Sequence, residues 1–201
     1  MTGRFITFEG IDGAGKSTHI DWYAARVRAH GLQAVVTREP GGTPLAEQLR
    51  ELLLGEPMSV EAETLLMFAA RKEHLDRLIR PALARGAWVV CDRFTDSTYA
   101  YQGGGRSVPL ERIAMLEDWM QAGLQPDRTY LFDLPAEIAA SRRAGTRDAD
   151  RFEAEDLGFF ERVRDGYHRR AHAASDRFMV IDACQTVEEI RNLLEEDIAR
   201  F

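Results

Sequence analysis

A chain of 201 residues with 45% hydrophobic and 29% charged content has the apolar material for one substantial core but too little length for two full domains. It has neither the composition of a disordered chain nor an apolar run long enough to cross a bilayer, and its net charge of −7 argues against duplex nucleic acid as a partner. Cys91 and Cys184 are far apart and outside any Cys-x-x-Cys spacing, so both are expected as buried, reduced thiols rather than as a disulfide or zinc ligands. With no signal-peptide pattern, the chain reads as a single cytoplasmic domain over 1–201.

Phe5–Phe8 is an apolar, β-branched run suited to a strand buried on both faces. It leads into Gly10-Ile11-Asp12-Gly13-Ala14-Gly15-Lys16-Ser17-Thr18, which has the Gly-x-x-x-x-Gly-Lys-Ser spacing of a phosphate-binding P-loop. The glycines let successive backbone N–H groups line one concavity, and the helix that follows adds the partial positive charge of its N-terminus. In such a loop Lys16 neutralises the β- and γ-phosphates of a nucleoside triphosphate, and the Ser17 hydroxyl ligates magnesium. Thr18–His30 carries Ile20, Tyr23, Ala24 and Val27 at helical spacing, and Gly31 stops it.

Gln33–Thr37 reads as a second strand, parallel to the first through the helical crossover. It delivers Arg38 and Glu39 to a Pro40-Gly41-Gly42 turn at the sheet edge where open α/β folds bind ligands. Leu45–Leu54, which bears Arg50, is a short helix. A longer helix runs from Val60 to about Arg85 with a reset at Pro81. Its centre, Leu65–Arg71, is apolar around most of its circumference and needs cover on both sides, from the rest of the monomer or from a second copy of the chain. Ala87–Cys91 is the third strand, and it sets Asp92 where a Walker B carboxylate holds magnesium through water, with Arg93 adjoining. Thr95–Tyr101 is polar and aromatic, and Gln102–Arg106, with three glycines, reads as a flexible loop.

Leu110–Gly123 is an amphipathic helix, Arg128–Asp133 the fourth strand, and Pro135 to about Ala144 a helix. The arginine-rich stretch from about 142 to 153 lies between two helices and has the character of a lid. Leu157–Ala174 is helical with His168 and His172 on a solvated face, Phe178–Asp182 is the fifth strand, and Val187–Ile198 closes the chain. This alternation specifies an α/β fold of the P-loop NTPase type, a doubly wound, five-stranded parallel sheet flanked by helices. Arg38, Arg71 and Arg93 gather near the P-loop edge, and guanidinium forks suit a second phosphate better than a water nucleophile, which favours a kinase over a hydrolysing switch.

The stretches Phe8–Thr18, Thr37–Thr43, Phe68–Arg71, Asp92–Phe94 and Ala100–Arg106, in this order and spacing, carry a resemblance over essentially the whole chain. The chain resembles the thymidylate kinases, which transfer the γ-phosphoryl group of ATP to dTMP to give dTDP and ADP in dTTP synthesis. The resemblance implies ATP and Mg2+ at the P-loop, held by Gly10, Ile11, Asp12, Gly13, Ala14, Gly15, Lys16, Ser17 and Thr18, dTMP as acceptor, and a homodimer formed through helices. It places Asp12 beside the acceptor sugar and Arg93 on the dTMP phosphate, with Arg38 and Arg50 near it and Glu39 ordering metal-bound water or the arginines. Arg71 becomes the base reader, Ser97, Tyr101 and Gln102 complete the acceptor pocket, and Gln185-Thr186 borders adenine. Many members stack a phenylalanine on thymine four residues before this arginine; here that position is Met67, and Phe68 follows it. Gly13 stands where some members carry a P-loop arginine, so the implied source of transition-state charge is the lid, with Arg147 first and Arg143 and Arg151 behind it.

Overall fold

A computed structural model describes residues 3–143 and 150–201. The sheet is centred on β1 (Phe5–Glu9), with β3 (Trp88–Asp92) on one side and β4 (Arg128–Asp133) on the other; β2 (Ala34–Arg38) and β5 (Phe178–Asp182) form the edges. All five strands are parallel, in the order β2-β3-β1-β4-β5. Register aligns their carboxyl ends, with Phe8 opposite both Asp92 and Tyr130 and Arg38 opposite Asp92. The ends of β1, β2 and β3 therefore empty onto one edge. Side chains alternate between two cores, as a period of two requires. Ile6, Phe8, Trp88 and Val90 pack into the larger cluster with Tyr23, Val27, Tyr130 and Leu194, whereas Phe5, Val89 and Cys91 pack on the other face with Leu75, Ile79 and Phe94.

The helices are α1 (Ser17–Ala29), α2 (Pro44–Gly55), α3 (Val60–His74), α4 (Arg80–Ala84), α5 (Thr95–Thr98), α6 (Leu110–Gln121), α7 (Ala136–Arg143), α8 (Leu157–Ala173) and α9 (Val187–Ile198). Their starts are set by local chemistry. Thr43, Ser59 and Asp156 accept backbone N–H bonds at the heads of α2, α3 and α8, and Thr186 with Glu189 forms a reciprocal capping box on α9. Between α3 and α4 the chain passes through a wider π-helical turn, Leu75–Ile79, with Pro81 in the first turn of α4. No helix among the described residues is long and apolar enough to cross a membrane.

Two expectations need correction. Gln102–Arg106 is not a loop: Tyr99–Gly105 continues α5 as wide π-helical turns packed on α8. Its glycines serve close approach. A Cβ at Gly104 would lie 2.6 Å from the Arg162 carbonyl oxygen, and one at Gly166, on α8, would lie 2.8 Å from Ala100 Cα. Cys91 is buried, and burial pushes its thiol pKa up, but Cys184 is exposed in the turn after β5. His168 is half-exposed and pairs with Asp133 at 3.0 Å, and His172 is exposed.

Because the atom facing Gly166 is backbone, Gly166→Ala must separate α8 from the Tyr99–Gly105 turns. We expect a loss of about 1–3 kcal/mol in urea denaturation, the usual range for overpacking; unchanged stability would show that these helices do not meet as described.

Candidate active site

β1 ends in Glu9, and the chain turns at once through Gly10, whose φ of 136° carries the backbone over the Phe132 carbonyl with no room for a side chain. Gly13 and Gly15 also have positive φ, and α1 begins immediately after Lys16. Lys16 is buried, and its Nζ donates to the carbonyl oxygens of Gly10 (3.1 Å) and Ile11 (3.3 Å), so the loop grips its own lysine. Burial, reinforced by the Arg93 charge, presses the Lys16 pKa down. Ser17 and Asp92 line the same cleft as Lys16. Asp92 Oδ1 is buried with no hydrogen-bond partner among the described residues, a donor set that fits a hard cation next to a hydroxyl.

Arg93 is the centre of this edge. It adopts a φ of 68° directly after β3, a conformation uncommon outside glycine, and its backbone N–H bonds the Phe8 carbonyl at 2.9 Å. The guanidinium donates to Gly10 O (2.8 Å), Ser97 Oγ (3.2 Å), Tyr167 OH (2.9 Å), Tyr101 OH (3.2 Å) and Asp12 Oδ1 (2.7 Å). Asp12 Oδ2 accepts the Tyr101 hydroxyl at 2.8 Å. Burial opposes ionisation of Asp12, but the Arg93 and Lys16 charges outweigh it and hold the carboxyl below its usual range. Beneath Arg93 lies Glu9, fully buried, accepting from Phe94 N (2.7 Å), Ser97 Oγ (2.6 Å) and Tyr167 OH (3.0 Å). Burial, and after it the charge of Asp96, pushes the Glu9 pKa up to about 7.

A second cleft opens on the far side of Asp12 and Arg93. It is lined by Glu39, Pro40, Arg50, Leu54, Met67, Arg71, Phe94, Ser97, Thr98, Tyr101, Gln102, Asp150 and Phe152 as well as by that pair. Arg71 is 3% exposed; its Nε donates to Glu39 Oε2 (2.7 Å), Nη2 donates to Thr98 Oγ1 (3.0 Å), and Nη1 is buried without a partner among the described residues. An unmatched buried donor is costly, and in a cleft wall it is what a ligand acceptor would satisfy. Met67 lines the cleft, whereas Phe68 turns away and packs with Tyr99 and Ile113. Gln102 donates from Nε2 to Glu63 Oε1 at 2.8 Å. Arg50 holds the Pro40 carbonyl at 2.9 Å, and Arg38 sits exposed at the rim, paired with Glu47 at 2.9 Å.

Arg142 lines the P-loop cleft and donates to Ala183 O at 3.1 Å, in the turn that continues to Gln185. Arg147 and the Arg143 side chain lie outside the described residues. Arg151 is held beside Phe152: it bonds the Leu53 carbonyl (3.1 and 2.9 Å), pairs with Glu63 at 2.7 Å and lies over the Phe152 ring. The structure thus brings Asp12, Lys16, Arg93, Arg50, Glu39, Arg71, Met67, Ser97, Tyr101 and Gln102 around two joined clefts. Sequence reasoning missed Glu9, Tyr167, Thr98, Glu63 and Phe152. A charged residue closing an otherwise apolar strand was the available signal for Glu9; nothing local marks Tyr167, whose partners come from the other end of the chain.

Comparison with known proteins places the whole chain beside one family. The family model described as thymidylate kinase matches residues 8–194. The chain is 63% identical over 199 residues to thymidylate kinase of Cupriavidus metallidurans, covering 99% of each chain. It is 58% identical over 201 residues to that of Burkholderia vietnamiensis, covering 98% of each. Among solved structures, thymidylate kinase from Ehrlichia chaffeensis superposes with a TM-score of 0.77 at 33% identity, covering 100% of this chain and 98% of the other.

Glu9 gives the site a pH signature. Its folded pKa of about 7 lies above the model-peptide value of 4.5, so between those values the folded protein holds a proton that the unfolded chain has released, and stability from this group is lost as pH rises through the window. Glu9→Gln abolishes that loss. We expect the stability of the variant relative to the parent to grow by about 1–3 kcal/mol between pH 5 and pH 7.5 in urea titrations; a pH-independent difference would contradict the burial argument.

Proposed function

The chain belongs to the thymidylate kinase family, as a nucleoside-monophosphate kinase that uses ATP to phosphorylate dTMP in dTTP synthesis, and from that premise we propose how its residues divide the work. The observation that carries the reading is the sharing of Asp12, Glu39, Arg50 and Arg93 by two clefts, one with a P-loop floor and the other with a base-sized wall. Two nucleotides seated there meet end to end at Arg93, the arrangement that in-line phosphoryl transfer needs.

On the donor side, the backbone N–H groups from Gly10 to Gly15, with Thr18, cradle the triphosphate, and Lys16 exchanges its bonds to Gly10 and Ile11 for phosphate oxygens. Arg142, Arg143 and Gln185 flank the adenosine. Ser17 and Asp92 hold the Mg2+, supported by the unpaired, buried Asp92 Oδ1; when bound, the ion supplies charge neutralisation on the β- and γ-phosphates. On the acceptor side, Arg93, Arg38 and Arg50 receive the dTMP phosphate and Asp12 orients the sugar end. The Arg71 Nη1 N–H donates to a carbonyl of the pyrimidine, Met67 lies against its ring, and Gln102 completes the pocket edge. The acceptor phosphate is already a nucleophile, so the chemistry needs positioning and charge, with no general base. Arg147 supplies transition-state charge from the lid.

We read the working form as a homodimer in the cytoplasm, with water-soluble nucleotides and no nucleic acid as its partners. Support for the dimer comes from α3 and α6, where Leu65, Leu110, Met115 and Trp119 are exposed and together leave apolar surface to cover.

A coupled assay of ADP release tests the reading. Release should require both dTMP and Mg2+, and Arg147→Ala should lower kcat about a thousandfold while leaving both KM values within a few-fold. Brisk ADP release without dTMP would overturn the acceptor assignment. An Arg147→Ala enzyme with near-parental kcat would return the charge-supplying role to Arg93 and Lys16.

A further inference from the structure

Behind the acceptor cleft runs a buried chain of bonds that the phosphoryl transfer itself does not require. Thr37 Oγ1 lies 2.7 Å from His74 Nε2, His74 Nδ1 lies 3.0 Å from Glu39 Oε1, and Glu39 Oε2 accepts from Arg71 Nε at 2.7 Å. His74 has no exposed surface. It sits on α3 one turn beyond Arg71, close enough for both side chains to reach the same carboxylate from adjacent positions of one helix face. We propose that His74 is a positioning residue for recognition of the acceptor base, fixing the Arg71 guanidinium through Glu39 so that its Nη1 stays free for the ligand. The inference rests on the reading that Arg71 contacts the base.

The argument turns on how a carboxylate grips a guanidinium. Left to itself, a carboxylate takes an arginine in a bidentate fork, one oxygen to each of two nitrogens. Here Glu39 divides its two oxygens between Arg71 and His74. An ionised carboxylate only accepts, so His74 Nδ1 carries the hydrogen toward Oε1, while Nε2 bonds the Thr37 hydroxyl. That engagement orients Oε1 toward His74, and Arg71 makes a single bond to Oε2. The Nη2 group, on the same edge as Nε, is taken by Thr98 instead of by the carboxylate. The third guanidinium nitrogen is left over. Without the His74 N–H, the Glu39 carboxylate can turn to take Nε and Nη2 together, which pulls Nη2 from Thr98 and draws Arg71 out of register with the cleft. Burial works against a charged Glu39, but the Arg71 charge and the His74 bond outweigh it and keep the carboxyl low, so the geometry is held at neutral pH.

Two isosteres separate this role from simple packing. The amide nitrogen of Asn falls near the Nδ1 position, so His74→Asn retains a donor to Glu39; the longer Gln reaches the Nε2 position, so His74→Gln retains the Thr37 bond and gives up Glu39. Calorimetric titration of the full chain with dTMP, and separately with dUMP, is read for the parent, both His74 variants and Arg71→Ala, with thermal midpoints and KM for ATP alongside. We expect Arg71→Ala and His74→Gln each to weaken dTMP by about tenfold, the scale of one hydrogen bond to a charged group. For His74→Gln the loss for dUMP should match that for dTMP, since the two bases present the same ring carbonyls, and KM for ATP should stay within about twofold. His74→Asn should stay within about threefold of the parent for both ligands. If Arg71→Ala weakens dTMP and His74→Gln does not, the positioning role is overturned while the base-reading role stands. If Arg71→Ala itself leaves dTMP affinity unchanged, the reading beneath it fails. Equal losses in the Asn and Gln variants, matched by lower thermal midpoints and poorer ATP use, would make His74 a packing residue and nothing more.

Discussion

Everything at the working edge of this molecule depends on one partly buried guanidinium. Arg93 stands where β3 ends, and its charge is matched by Asp12 while its N–H groups reach acceptors on the P-loop, on α5 and the turns that continue it, and on α8. An isolated cation in that position would cost several kcal/mol; paired with Asp12 and hydrogen-bonded through both Nη1 and Nη2, it becomes the piece that fixes the others. The bond from Arg93 to the Gly10 carbonyl ties the shape of the P-loop to the acceptor half of the site. The two clefts are therefore tied together through a shared residue.

The acceptor half follows the same design more than once. Glu9 lies beneath Arg93, Glu39 beneath Arg71, and Glu63 receives Gln102, which lines the cleft, together with Arg106 and Arg151. Each is a buried carboxylate whose oxygens are taken up by fixed partners, so the side chains facing the cleft hold their places before a ligand enters. Preorganisation of this kind lowers the ordering cost of binding and leaves selectivity in the few donors without a partner, of which Arg71 Nη1 is the clearest. The donor half is built differently, from backbone N–H groups and a lysine held by its own loop.

The sheet was legible because each strand is a short apolar run closed by glycine, proline or charge, and the P-loop because a local motif carries its own geometry. What escaped were features set by distant partners. The glycines of Gln102–Arg106 look like flexibility until Gly166 of α8 is seen opposite the same turns, where they allow two helices to touch. Met67 and Phe68 differ by one step, or 100° around the helix, and packing of Phe68 with Tyr99 and Ile113 decides which of them lines the cleft. Arg151 belongs to the arginine-rich stretch read as a lid, yet a buried glutamate on α3 claims it. Cys184 misled because a cysteine after an apolar strand reads as core, while β5 delivers it to a surface turn.

The central claim, that one guanidinium joins the two halves, is tested most directly by Arg93→Lys. Lysine retains the charge and much of the bulk but has a single terminal nitrogen, which cannot hold Gly10, Asp12, Tyr101 and Tyr167 together in a planar fork. In single-turnover experiments with circular dichroism to verify folding, the account predicts a folded variant whose phosphoryl-transfer step slows by about a hundredfold or more, and whose affinity for dTMP falls more than its affinity for ATP. A folded Arg93→Lys protein that transfers phosphate within a few-fold of the parental rate would contradict it.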